Sequence, residues 1–385
     1  MPHHTLAQTY AQRSEQPDLS PLATYLLRLV HIKRTNLCLS ADVYTTNDLL
    51  RLAEEVGDHI CLLKTHADTI ADFGEKTIRG LNEISKRKKF LVFEDRKFLD
   101  IGNTVQQQYA AGPLTIVRWA SIINANILPG PAIITALSQA AQKAIAAHNT
   151  SVSTDIRASP ALTASDDFDD HDDDHDHEHH EVHSADEYEE DYNERARKQS
   201  VVSVSTTISM KSEAISPQPH MRPSISRVSS GNPNDLEEDE GDDPEALNHL
   251  GPQPYARSLL LLAQMSSAGN YFTPEYTAET VRLAREHKDF VIGFIAQQSL
   301  NEKPDDNFIT MTPGVQLSAG GDGLGQQYNT PAKVIGENGN DIIIVGRGIT
   351  EAKDRKAAAL EYRRQGWQAY KDRVKAMRKA GTAKR

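Results

Sequence analysis

The chain has 385 residues, 38% hydrophobic and 25% charged, enough for one large domain or two ordinary ones. Its net charge of −12 is unevenly spread: residues 151–250 hold 26 Asp/Glu and 7 Lys/Arg, so the rest carries a net +7. The mildly basic remainder suits an anionic small ligand, no nucleic-acid partner is expected, and no run of about 18 apolar residues predicts a membrane span.

In chain order, residues 1–34 read as a short helical preface, with no apolar core like that of a signal peptide. Strands are predicted at 36–43, 59–65, 90–95, 115–119, 258–265, 290–296, 308–312 and 341–346. Helices are predicted at 46–56, 75–88, 102–111, 131–147, 274–286, 330–337 and 350–379. The strands are continuously apolar, which implies burial on both faces. Eight of them alternating with helices favour a (β/α)8 TIM barrel of class α/β over a doubly wound sheet. Cys38 and Cys61 lie in apolar runs and suit buried, reduced thiols of a cytoplasmic protein.

Residues 148–256 interrupt the alternation. DDFDDHDDDHDHEHHEVH (166–183) is low-complexity acid and histidine, residues 200–233 are rich in Ser and Pro, and DLEEDEGDDPE (235–245) is acidic again. Such a segment buries too little apolar surface to offset its ordering entropy, so it is predicted to be disordered. Three parts result: the first half of the barrel with its helical extension (1–147), the insertion (148–256), and the second half with the closing helix (257–385). The histidine tract lacks the regular spacing of a structural zinc site, so weak adventitious metal binding is the reading preferred there. Arg222 to Ser230 offers serines for phosphorylation, which the sequence alone does not establish.

Reactive groups of such barrels cluster at the C-terminal ends of the strands. Here SADV supplies Ser40 and Asp42, LLKTH supplies Lys64 and His66, and FEDRKFLDIGNT supplies Asp95, Lys97 and Asp100. Alternation along a strand turns Asp95 and Lys97 to one face. Lys64, deep in an apolar run, needs carboxylate neighbours. Asp100 alternatively reads as a helix N-cap. TPGVQLSAGGDGLGQQY (312–328) and VGRG (345–348) follow the last two strands, the usual phosphate-binding position, with Arg347 as a bidentate donor.

Together LLKTH, FEDRKFLDIGNT, FVIGFIAQ, MTPGV, GLGQQY and DIIIVGRG resemble orotidine 5′-phosphate decarboxylases of the fungal type, over about 36–147 and 257–372. The resemblance implies conversion of orotidine 5′-monophosphate to uridine 5′-monophosphate and CO2, the last step of UMP biosynthesis, without metal or organic cofactor. It places Lys64, Asp95, Lys97 and Asp100 in a charge network, with Lys97 protonating C6 of the pyrimidine. Asp100, Ile101 and Thr104 would enter the partner subunit's site, making a homodimer obligatory. Asp42 and Lys64 would hold the ribose, Ser40, Ser266 and Pro313 the base, and Gln326, Tyr328, Gly346 and Arg347 the phosphate under a closing 313–325 loop. His66 matches a family position but is given only a structural, hydrogen-bonded role. Filamentous fungi carry insertions like 148–256 in this enzyme. A magnesium-dependent sugar-phosphate barrel such as a hexulose-phosphate synthase, and a dead scaffold whose working part is the acidic segment, remain the alternatives.

Overall fold

The computed structural model describes residues 2–159, 201–210, 244–321 and 327–382. Eight parallel strands close into a barrel: β1 (Leu37–Ser40), β2 (Leu62–Thr65), β3 (Leu91–Phe98), β4 (Ile122–Ala125), and, after β5 (Thr150–Ser159) and β6 (Val201–Met210), β7 (Ser258–Leu262), β8 (Val291–Ile295), β9 (Ile309–Thr312) and, after β10 (Gly320–Gly321) and β11 (Gln327–Tyr328), β12 (Ile342–Val345). The order around the barrel is β1-β12-β9-β8-β7-β4-β3-β2. Leu37, Leu39, Leu62, Leu63, Leu91, Phe93, Ile122, Ile123, Leu260, Phe294, Met311 and Ile343 are fully buried along these strands. This is the double-sided burial that their continuous apolar runs predict.

The helices start where local chemistry favours them. Thr45 accepts from the Asp48 amide at the head of Thr46–Val56, and Ser20 caps Pro21–Lys33, whose proline occupies the first turn. The N-terminal extension packs on the residues just before β9 and β12 and on the closing helix. Arg13 is buried and donates to Asn307 Oδ1, to the Phe308 carbonyl and to Asp341, while Tyr10 stacks on Tyr370 at 4.2 Å.

One predicted strand is corrected. Residues 115–119 are β-branched and aromatic, but Ile116–Arg118 form a 3-10 turn whose Ile116 and Val117 are buried. The barrel strand is Ile122–Ala125, where Asn124 breaks the apolar run that would have advertised it. The segment predicted as 330–337 is a single π-helical turn, Ala332–Glu337. The closing helix begins later than predicted, at Arg355, after the short turn Arg347–Thr350.

Two compact units divide the chain: Met1–Ala147 with Gln218–Arg385, and His148–Pro217. Within the second, β5 and β6 pair antiparallel from Thr150↔Met210 to Ser159↔Val201. Within 148–256, predicted to be disordered as a whole, Thr150–Ser159 and Val201–Met210 are these paired strands, while 160–200 and 211–243, with the candidate metal-binding and phosphorylation stretches, lie outside the described residues. Residues 244–256, counted with the insertion on sequence, pack on the barrel. Leu250 is buried, Gln253 Nε2 donates to Ser121 Oγ at 2.9 Å, and Pro244–Asn248 is helical. Cys38 and Cys61 are free and buried, and burial raises both thiols, Cys61 to about 12. Among the described residues no helix is long and apolar enough to cross a membrane.

Candidate active site

Most of the charge collects at the end of β3. From Glu94, paired with Ile123, to Phe98, paired with Ala125, β3 advances four residues while β4 advances two. The surplus bulges out of the ladder, and Lys97 adopts φ = 50°, a left-handed conformation disfavoured for a side chain of this size. Asn124 of β4, fully buried, takes the place of the missing ladder bonds. Its Oδ1 accepts from the Lys97 amide at 2.7 Å, and its Nδ2 donates to Asp95 Oδ1 at 2.6 Å. Asp95 and Lys97 do converge, as alternation predicted, but through a bulge rather than a regular pleat.

Four groups surround the Asp95 carboxylate. Lys64 Nζ lies 2.7 Å and His66 Nε2 3.1 Å from Oδ2, and Lys97 Nζ lies 2.7 Å from Oδ1 beside Asn124. Burial by itself would raise the Asp95 pKa, but Lys64, the His66 hydrogen bond and Lys97 together hold it far below the usual carboxylate range. His66 reaches a second carboxylate, with Nδ1 2.9 Å from Asp42 Oδ1. Burial lowers its pKa, yet the bonds to Asp42 and Asp95 outweigh burial and the net shift is upward. Asp42 also accepts from Ser40 Oγ at 3.0 Å, and despite burial its pKa falls to about 2 through His66 and Lys64. His66 is hydrogen-bonded as expected, and it joins two residues assigned to the site.

Glu94 faces the opposite side of β3 and is fully buried. It accepts from Thr65 Oγ1 at 2.6 Å and from the Ala67 amide at 3.0 Å, so it pins the backbone that presents His66. Burial raises its pKa to about 7 against those two bonds.

Beside the Asp95 cluster lies a cleft of about 190 Å³, lined by Ser40, Asp42, Lys64, Pro313, Tyr328 and Arg347 with neighbouring glycines. Lys64 belongs to both the cleft and the Asp95 cluster. Arg347 opens the short helical turn after β12 and bonds the Tyr328 hydroxyl. A Cβ on Gly346 would stand 3.3 Å from Asp42 Oδ2 and 3.4 Å from Ser40 Cβ. One on Gly348 would meet the Tyr362 hydroxyl at 2.2 Å. These two glycines let the VGRG backbone run against the end of β1 and the closing helix. Pro313 opens the glycine-rich segment, whose ends pair through Gly314, Gln316 and Asn329 and through β10 with β11.

The remaining expected residues stand apart. Asp100 accepts from the Ile101 amide at 3.0 Å and from Gln108 Nε2 at 3.1 Å, which ties it to its own loop and helix rather than to Lys64, Asp95 or Lys97. Leu99 and Ile101 are 52% and 55% exposed, and Thr104 is also exposed. Ser266 is half-buried on the loop after β7, outside the cleft lining, and Gln326 lies outside the described residues. The sequence does not single out Asn124, because the apolar pattern predicts the strand seven residues early, on 115–119 instead of 122–125.

A family model described as Orotidine 5'-phosphate decarboxylase / HUMPS family matches residues 35–362. A relative from Aureobasidium pullulans named Orotidine 5'-phosphate decarboxylase is 46% identical over 368 residues, covering 96% of this chain and 95% of its own. One of the same name from Hypocrea jecorina is 42% identical over 394 residues, covering 97% and 99%. Uridine 5'-monophosphate synthase of Bos taurus is 34% identical over 366 residues, which span 95% of this chain and 53% of that protein. With nearly its whole length matched at this identity, the chain belongs to the Orotidine 5'-phosphate decarboxylase / HUMPS family.

Proposed function

We propose that this protein decarboxylates orotidine 5′-monophosphate to uridine 5′-monophosphate and CO2, supplying UMP in pyrimidine biosynthesis. The observation that carries the reading is the Lys64–Asp95–Lys97 cluster, with both ammonium groups 2.7 Å from one buried carboxylate beside a cleft that also holds Arg347. Full-length similarity to fungal relatives named for this activity supports it.

In the proposed reaction the bond between C6 and the carboxyl carbon breaks and its electron pair stays on C6. Lys97 donates the proton that forms the new C6–H bond and is reprotonated from solvent. Asp95, kept ionised by its cations, faces the substrate carboxylate and disfavours the bound ground state. Lys97 offsets the charge that develops at C6, and such preorganised charge in a site without bulk water is usually the largest catalytic contribution. Asp42 and Lys64 hold the ribose hydroxyls, and Ser40, Ser266 and Pro313 flank the base. Gln326, Tyr328, Gly346 and Arg347 grip the phosphate, and binding energy from that remote group drives closure of the 313–325 loop.

Two copies of the chain share each site in this reading. Asp100, Ile101 and Thr104 reach into the partner's site, and the exposed apolar pair Leu99 and Ile101 beside a self-contained Asp100 supports that role. No metal or organic cofactor takes part. The Asp95 oxygens are already occupied by Lys64, Lys97 and Asn124, which favours this reading over the magnesium-dependent sugar-phosphate barrels.

The test is a spectrophotometric assay of the purified protein with orotidine monophosphate, with and without a chelator. The expected result is stoichiometric UMP and CO2 at a rate the chelator leaves unchanged. A folded protein that produces no UMP, or loses all activity to the chelator, would overturn the proposal.

A further inference from the structure

The bulge in β3 poses a question that the charged groups do not answer. A lysine at φ = 50° is strained, and strained backbone persists only where its surroundings over-determine it. The ammonium of Lys97 and the carboxylate of Asp95 attract each other, but that attraction fixes only side-chain tips. It does not hold the intervening backbone out of the ladder.

We infer that Asn124 is a positioning residue for the reacting groups: its side-chain amide holds the β3 bulge and thereby sets where the Lys97 ammonium stands relative to Asp95. Across the register shift, this one amide ties β4 to both residues of β3 that carry the charge. Oδ1 takes the Lys97 N–H at 2.7 Å and Nδ2 gives to Asp95 Oδ1 at 2.6 Å, so the two ends of one rigid plane fix the backbone of the first residue and the carboxylate of the second. The register resumes one residue later on β4, with Phe98 opposite Ala125, and the Asn126 amide bonds the Phe98 carbonyl at 2.9 Å. The clamp is therefore bracketed by regular ladder on both sides. Asn124 itself is fully buried. Its donor also completes the set around Asp95 Oδ1, which without it would keep only Lys97.

The orientation of the amide follows from its partners. The Lys97 amide requires an acceptor and the Asp95 carboxylate requires a donor, so an aspartate at this position satisfies the first and repels the second. A residue of similar volume without polar atoms satisfies neither, and takes from the Lys97 N–H this acceptor.

The inference rests on the decarboxylase reading, and the experiment keeps the two apart. Wild-type protein is first assayed for UMP formation; its failure would remove the decarboxylase reading before any variant is made. Asn124→Leu and Asn124→Asp are then compared for kcat, KM, UMP affinity by calorimetry, and cooperative thermal unfolding. Misplacement of a reacting group by about 1 Å can cost on the order of a hundredfold. Both variants are expected to lose about that much or more in kcat while KM and UMP affinity stay within about threefold. Retention of kcat within threefold by the leucine variant would overturn the inference, since volume alone would then suffice. So would a parallel loss of kcat, UMP binding and cooperative unfolding in both variants, which is the signature of a purely structural residue.

Discussion

At the scale of the residue, the proposed mechanism asks two things of the single Lys97 ammonium group, to balance charge at C6 and to deliver a proton. Its side chain is 40% exposed where Lys64 is 8% exposed, so it reaches open space while Lys64 is locked against Asp95. Lys97→Ala should therefore lower kcat by at least about a thousandfold, as expected for loss of a general acid and an electrostatic donor together. UMP affinity should change little, because ribose and phosphate contacts are intact. Near-normal turnover would remove the role. Glu94 gives a second residue-level prediction, read from stability. Its folded-state pKa of about 7 lies above the ordinary 4.5, so the folded state binds the extra proton between those values. That contribution is fully present below pH 4.5 and is lost as pH rises through about 7. Denaturant unfolding of Glu94→Gln should show a shallower decline in stability across that window than wild type, and equal slopes would count against a protonated Glu94. The charged residues here were legible in sequence because their types are costly to bury. Asn124 was not, since a lone asparagine in an apolar run carries no signal until the bulge opposite it is seen.

At the scale of the element, the strand ends do the work. Runs such as LLKT and IIIV fix most barrel strands within a few residues, because double-sided burial leaves no polar alternation to misread. The exception, Ile116–Arg118, shows the limit: β-branched residues favour a strand only if a neighbour offers ladder bonds, and here buried Ile116 and Val117 serve a turn. The β3 bulge was equally hidden, because register is a property of two strands and not of one. The Arg347–Tyr328 bond couples the turn after β12 to the segment after β9, and the proposed phosphate grip is built on it. A charge-assisted contact to phosphate contributes about 1.5–3 kcal/mol, or roughly 10- to 150-fold in affinity. Arg347→Ala should weaken orotidine monophosphate binding by that much and leave the phosphate-free nucleoside almost unaffected. Equal losses for both ligands would take Arg347 out of the phosphate site.

At the scale of the whole molecule, composition separated an acidic, low-complexity stretch from a mildly basic barrel, and contacts now put residues 244–256 with the barrel. The insertion leaves the chain after the helix Ala132–Asn149 and returns before β7, a helix-to-strand connection, whereas the charged groups sit at strand-to-helix ends. Loop-closure entropy grows only logarithmically with length. Replacing residues 150–243 by a short Gly/Ser linker should thus leave kcat and KM nearly unchanged and stability equal or higher. A folded deletion variant with grossly reduced turnover would mean that the insertion reaches the active face. The proposed sharing of sites predicts a second result. Lys97→Ala and Asp100→Ala proteins should each be nearly inactive, yet equal mixing with subunit exchange should restore about one quarter of wild-type activity, since half the dimers are mixed and each holds one intact site. No recovery despite verified exchange would show that Asp100 serves its own chain. The chemistry itself is read most directly by turnover in deuterated water, with the product followed by NMR. Breaking the bond to the carboxyl carbon and refilling C6 from an exchangeable ammonium predicts UMP carrying one deuterium at C6 for each CO2 released. Unchanged orotidine monophosphate, or CO2 released without deuterium at C6, would contradict the account.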